Sequence, residues 1–118
     1  LKKYPGTIRS LLSAHLESIN SISTNPGRAQ DSAQAQIQKW TGKRLADAVL
    51  ARAWNNLTFT ANPIASSLEK SANDAVSAGL LTTLGSRGLN GIYDIRILNS
   101  VLKASKSKTF SANGLGLE

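Results

Sequence analysis

Two Asn-Pro pairs, Asn25-Pro26 and Asn62-Pro63, constrain this chain more than any other feature. The residue before a proline is pushed out of the helical region, and proline itself fits only the first turn of a helix. Each pair therefore ends one segment and permits a helix directly behind it. Between these marks the apolar residues recur at steps of three and four, the period of an α-helix packed on one side. Ile8, Leu11, Leu12, Leu16, Ile19 and Ile22 draw such a line over residues 5 to 23, with Pro5 in the first turn.

The second segment, residues 27 to 40, has a sparse inner face of Ala29, Ala33, Ile37 and Trp40 and stops at Thr41-Gly42. A third, 44 to 57, lines up Leu45, Val49, Ala53 and Leu57, with Leu50 and Trp54 alongside. Thr58-Phe59-Thr60 is too short for an independent strand and reads as an extended connector. A fourth helix, 63 to 81, presents Ile64, Leu68, Ala72, Ala75, Val76 and Gly79, a face of small residues that a neighbour can approach closely. Gly85, Gly88 and Asn90-Gly91 then make a surface loop. A fifth helix is expected to be capped by Asp94 and to bury Ile95, Leu98, Val101 and Leu102. From Ser105 the apolar period is lost, so residues 105–118 read as a flexible tail. The expectation is an all-α fragment of about five helices over residues 1–104, without a convincing strand.

A chain of 118 residues can bury one modest core, and with two Trp, two Tyr and two Phe that core must rest on aliphatic side chains. The absence of cysteine excludes disulfides, thiolate metal sites and thiol catalysis. Fourteen Lys and Arg against seven Asp and Glu give a net charge of +7, which favours anionic partners. The positives are scattered: Lys2, Lys3, Lys39, Lys43, Arg44, Lys103, Lys106 and Lys108 sit at segment ends and form no stripe. A solvated surface is the plainer reading of them. No run approaches the roughly 18 apolar residues that span a bilayer. The chain lacks Met and opens on Leu-Lys-Lys, so it reads as a piece of a longer protein.

The order of phrases carries a family resemblance. "KKYPGTIRSLLSAHLESINSISTNPGRAQ", then "WTGKRLADAVLARAWNNLTFTANPIASSLEKSANDAVSAGLL", then "GLNGIYDIRILNSVLK" resemble the C-terminal region of solute-binding proteins of ABC importers in the nitrate, sulfonate, taurine and bicarbonate group. The resemblance covers residues 1 to 104 and is most specific in the "RAW…TFTANP" and "GIYDIRILNSVLK" runs. Within that group the chain is most similar to the aliphatic-sulfonate binders. Where the family commonly carries a carboxylate in the "TFT" run, this chain has Asn62, and the tail "KASKSKTFSANGLGLE" lies outside the resemblance.

The resemblance implies that the parent protein has an α/β fold of two lobes closing on a small anion, with these helices packed on a lobe. It implies a periplasmic or membrane-anchored extracellular location. The partners it implies are a small anionic solute (an alkanesulfonate, taurine, nitrate or bicarbonate) and the permease subunits. No cofactor, metal or nucleic acid is expected. Helix faces normally covered by the lobe are expected to pair between copies in a homo-oligomer.

Little here resembles catalysis. His15 is the sole histidine and falls on the apolar line of the first helix, short of the three or four ligands zinc needs. Its reading is structural. The serines have no G-x-S-x-G elbow and no base in assured reach, and the acids are far apart in sequence, so no enzyme is expected. Trp40, Trp54, Phe59 and Tyr93 suit base stacking in a nucleic-acid binder, but core is the better reading of Trp54. The fourth helix has one distinctive trait: its first turn carries serines and no acid. Helix starts attract anions through free N–H groups and the dipole, and a carboxylate there would compete. Thr60, Asn62, Ser66 and Ser67 are the candidate ligand-binding donors, with Glu69 the first acid, although plain capping explains the same residues. Two rivals remain: a free-standing basic helical module that binds nucleic acid, and a helical adaptor that docks a protein through its small-residue face.

Overall fold

The computed structural model describes residues 3–83 and 88–118. It contains five helices, α1 (Pro5–Thr24), α2 (Pro26–Thr41), α3 (Asp47–Asn55), α4 (Ala65–Ser77) and α5 (Arg96–Ala104), with two-residue strands β1 (Tyr93–Asp94) and β2 (Gly116–Leu117). Among the described residues the regular structure is thus five helices joined by irregular segments, an all-α architecture as the periodicity predicts, with one short parallel strand pair added. The chain divides into two compact units, one of residues 14–61 and one joining residues 1–13 to 62–118.

In the 14–61 unit, Pro26 opens α2 and Gly42 closes it, with φ at 73° and its N–H donating to Gln38 O at 2.9 Å. That left-handed conformation is open to glycine without steric penalty, so Gly42 stops the helix where the sequence predicts. The chain then returns beside α2 and is fixed by Gln34, which is 1% exposed. Gln34 Nε2 donates to Leu45 O (2.7 Å), and Leu45 N–H donates to Gln34 Oε1 (3.1 Å). One carboxamide thus serves both main-chain groups of a residue that has no ladder partner, the condition for burying polar atoms without penalty.

Because Arg44 to Ala46 are not helical, Ala46 being extended, α3 begins at Asp47 and is shorter than the expected 44–57. Its predicted inner line is not covered: Leu45, Val49, Ala53 and Leu57 are all exposed, Val49 by 55%. Trp40, expected on the inner face of α2, is 79% exposed with Lys39 Nζ 5.7 Å from its ring centroid. Trp54 is half-buried against Phe59, their centroids 5.0 Å apart. Helical period identifies a face; whether anything lies against it depends on surfaces distant in sequence.

In the second unit, α4 ends sooner than expected. Gly79 adopts φ 72°, and Leu80 N–H reaches back to Ala75 O at 2.9 Å, the hydrogen bond of a Schellman stop. Gly79 is therefore the terminator of α4 and not part of its small-residue face. The predicted loop at 82–91 is seen as a turn over 88–91, with Gly85 outside the described residues. Asp94 is not the N-cap residue of α5, although its Oδ1 accepts from the N–H of Arg96, the first residue of that helix, at 3.4 Å. The cap position is Ile95, and Asp94 lies in β1 with its carboxylate engaged by Arg96.

The tail corrects the sequence reading most. Residues 105–118, expected to be flexible, fold back on α5. Asn99 repeats the device of Gln34: Nδ2 donates to Phe110 O (2.9 Å) and Phe110 N–H donates to Oδ1 (3.0 Å). Ala112 and Leu115 are buried with Ile95, Leu98, Val101 and Leu102. Asn113 and Gly114 have φ of 52° and 76°, and Leu115 N–H donates to Ala112 O at 2.8 Å. Two consecutive positive φ values closed by such a bond define a type I′ turn, for which Asn-Gly is the favoured pair. The turn sends β2 alongside β1 in parallel register, Tyr93 opposite Gly116 and Asp94 opposite Leu117. Glu118 closes the loop by accepting from Ser111 Oγ (2.7 Å) and Ala112 N–H (2.6 Å). Ser111 is the main reason the Glu118 carboxyl titrates below its ordinary range, and the Ala112 N–H adds to it.

Candidate functional site

The hydroxyl-bearing start of α4 is built by three devices. Pro63 lacks an N–H, so the entry to the helix loses one donor that would need a partner. Ile64 sits in the left-handed region at φ 50°, an uncommon conformation for a β-branched residue, and its N–H donates to Asn62 Oδ1 at 3.0 Å. Tyr93 supports the turn through its hydroxyl, which donates to Pro63 O at 3.3 Å. Ala65, the first residue of the helix, is buried.

Ser66 and Ser67 follow in the first turn, both exposed, and no acid occupies that turn. Ser67 N–H donates to Ile64 O at 3.0 Å, so the backbone of this turn is partly closed on itself. Glu69, the first acid, is directed elsewhere: its Oε2 accepts from Asn113 Nδ2 at 2.9 Å. Of the four donors expected from the sequence, Asn62, Ser66 and Ser67 share this unit. Thr60 belongs to the 14–61 unit, exposed in the connector. Asn62 uses its carbonyl oxygen to hold Ile64, which makes it a structural part of the turn. Ser66 and Ser67 are the two that present hydroxyls at the positive end of a 13-residue helix.

Such a site is neutral: two hydroxyls and a helix dipole. Among the described residues no group of His, Asp and Glu could hold a metal ion. His15 is exposed on α1. No helix among the described residues is long and apolar enough to cross a membrane.

The strongest electrostatic feature lies at the far end of β1. Arg96 Nε and Nη2 donate to the two carboxylate oxygens of Asp94 at 2.9 and 2.7 Å, a two-pronged pair. That side-chain hydrogen bond is the chief reason the Asp94 carboxyl drops from 3.8 to about 2, outweighing the opposing effect of partial burial. The same pair raises Arg96. It links β1 to the first turn of α5 and presents no free charge to a ligand.

The sequence reading missed three structural supports: Tyr93 behind the α4 turn, and the clamps Gln34 and Asn99. Gln and Asn within amphipathic helices read as polar-face residues, and only their burial reveals the clamps. Along α3, Ala48, Val49, Arg52, Ala53 and Asn56 line an open groove. No protein-family model, curated protein or solved structure matches the chain.

Proposed function

We propose that this chain is the C-terminal part of an ABC-transporter substrate-binding protein that captures a small oxyanion, an aliphatic sulfonate by preference, for import. The observation that carries the reading is the ordered set of phrases, and above all the "TFTANP" and "GIYDIRILNSVLK" runs. The bond from Tyr93 Oη to Pro63 O supports it, because it joins one of these runs to the other at the start of α4. Uncovered apolar side chains on and just beyond α3 support it too: Val49 on the helix and Leu57 after its end suit a chain that packs on a further surface. On this reading the polypeptide makes and breaks no bond. It stabilises the anion with neutral donors and a helix start, closes around it, and delivers it to permease subunits outside the cytoplasmic membrane.

Thermal unfolding of the parent protein in the presence of alkanesulfonates, taurine, nitrate and bicarbonate tests the proposal. A ligand at a hundred times its dissociation constant adds about 2.7 kcal/mol of stability. The expected result is a clear rise in melting temperature with one of these anions. If none of them shifts the transition, or if the chain instead binds duplex DNA with a steep dependence on salt, the transport reading is wrong.

A further inference from the structure

The chain contains two Asn-Gly pairs, Asn90-Gly91 and Asn113-Gly114, and the structure places them in opposite circumstances. Asn-Gly is the dipeptide most open to succinimide formation, because glycine has no side chain to shield its backbone nitrogen. Nothing lies within 4 Å of where a Cβ would stand on either Gly91 or Gly114, so no neighbour crowds either glycine on that side. What differs is the freedom of the asparagine.

Asn113 is held at each end. Its Nδ2 donates to Glu69 Oε2 at 2.9 Å, and its N–H donates to Ser111 Oγ at 3.0 Å. The type I′ turn around it is pinned between Ala112 and Leu115, both buried. To reach the reactive geometry the side chain must leave Glu69 and the backbone must leave its left-handed conformation, which requires local opening. Asn90 also sits in a hydrogen-bonded turn, but among the described residues it has neither the side-chain tether nor the bond from its own N–H that hold Asn113. It is exposed in the turn 88–91, where Ile92 N–H donates to Leu89 O at 3.2 Å, and its carboxamide has no hydrogen bond among the described residues. Gly91, at φ 78°, keeps its own nitrogen outside that turn bond.

We propose that Asn90 is a site of spontaneous deamidation, while Asn113, the same dipeptide in sequence, is protected by the fold. The Gly91 backbone nitrogen, losing its proton, attacks Asn90 Cγ. The N–Cγ bond forms, the Cγ–Nδ2 bond breaks, and ammonia leaves carrying that proton. One water then opens the five-membered imide at either carbonyl and leaves an aspartyl or isoaspartyl residue at 90. The product lowers the net charge of +7 by one. In its isoaspartyl form it also adds a methylene to the main chain three residues ahead of Tyr93, where the pairing with the tail begins.

The test is incubation of the purified chain at mildly alkaline pH, followed by peptide mapping and isoaspartyl methyltransferase labelling. Conversion at Asn90 is expected to run roughly tenfold or more ahead of conversion at Asn113, the gap reflecting the opening step. A Glu69→Ala variant, which releases the Asn113 carboxamide, is expected to narrow that gap with the rate at Asn90 unchanged. Equal rates at the two pairs in the unaltered chain, faster conversion at Asn113, or a gap indifferent to Glu69→Ala each overturn the inference.

Discussion

Replacing Asn99 by alanine isolates what holds the tail to α5. The side chain is buried and makes two hydrogen bonds to Phe110, one to its carbonyl and one from its N–H. Each such bond is worth about 1 kcal/mol net, and leaving partly buried main-chain groups without partners adds to the loss. Phe110 is half-buried, so water can reach part of what is vacated. Alanine also returns roughly 0.5 kcal/mol through its better helix propensity. The balance is a destabilisation of about 2 kcal/mol. In a chain of this size that lowers the melting temperature by roughly 6–12 °C. The loss is local, so tail cleavage by trypsin at Lys106 and Lys108 should accelerate roughly 30-fold where opening is fast relative to cutting. An Asn99→Asp variant sharpens the test, because an ionised carboxylate still accepts from Phe110 N–H but faces the Phe110 carbonyl with no donor. That variant should regain stability as pH falls and its carboxyl is protonated. Unchanged melting and unchanged tail cleavage in Asn99→Ala would refute the clamp, and with it the account of residues 105–118 as a packed segment.

Two further outcomes are expected. In Gly116→Ala the new Cβ meets the Tyr93 main chain, with the carbonyl carbon only 2.7 Å away, so β1 and β2 must separate; urea denaturation should show a loss of about 2 kcal/mol, and wild-type stability would mean that the strands do not pair. The Asp94 carboxyl, depressed from 3.8 to about 2 by Arg96, contributes stability that is complete above about pH 4 and lost as pH falls through about 2. Titration followed by carboxyl NMR should locate that low value and show it returning toward 3.8 in Arg96→Gln; a normal value in the unaltered chain removes the pair.

The helices were legible because their signals are local. Pro26 and Gly42 bound α2 through their own dihedral preferences, and both stand where the sequence puts them. The shortened α4 was readable in principle: a glycine at position 79 serves as well for a helix stop as for a small-residue face, and only the hydrogen bond from Leu80 to Ala75 decides between them. The tail carried a signal that was passed over. Asn113-Gly114 between Ala112 and Leu115 is a hairpin-type turn written in sequence, but its composition of Lys, Ser and Gly suggested disorder. The candidate anion donors were legible as residue types, whereas the use of Asn62 as a brace for Ile64 was not.

By itself the sequence determined that five helices form and where α2 begins and ends, since proline, glycine and the 3.6-residue period act within a few bonds of the residue concerned. It also excluded disulfides and thiol chemistry within these residues, since they include no cysteine. Only the tertiary structure decided which apolar faces are covered, and that Gln34 and Asn99 turn inward to hold Leu45 and Phe110, each 11 residues further along. The reason is that burial and hydrogen-bond satisfaction depend on which distant segment arrives alongside, and neither periodicity nor propensity carries that information.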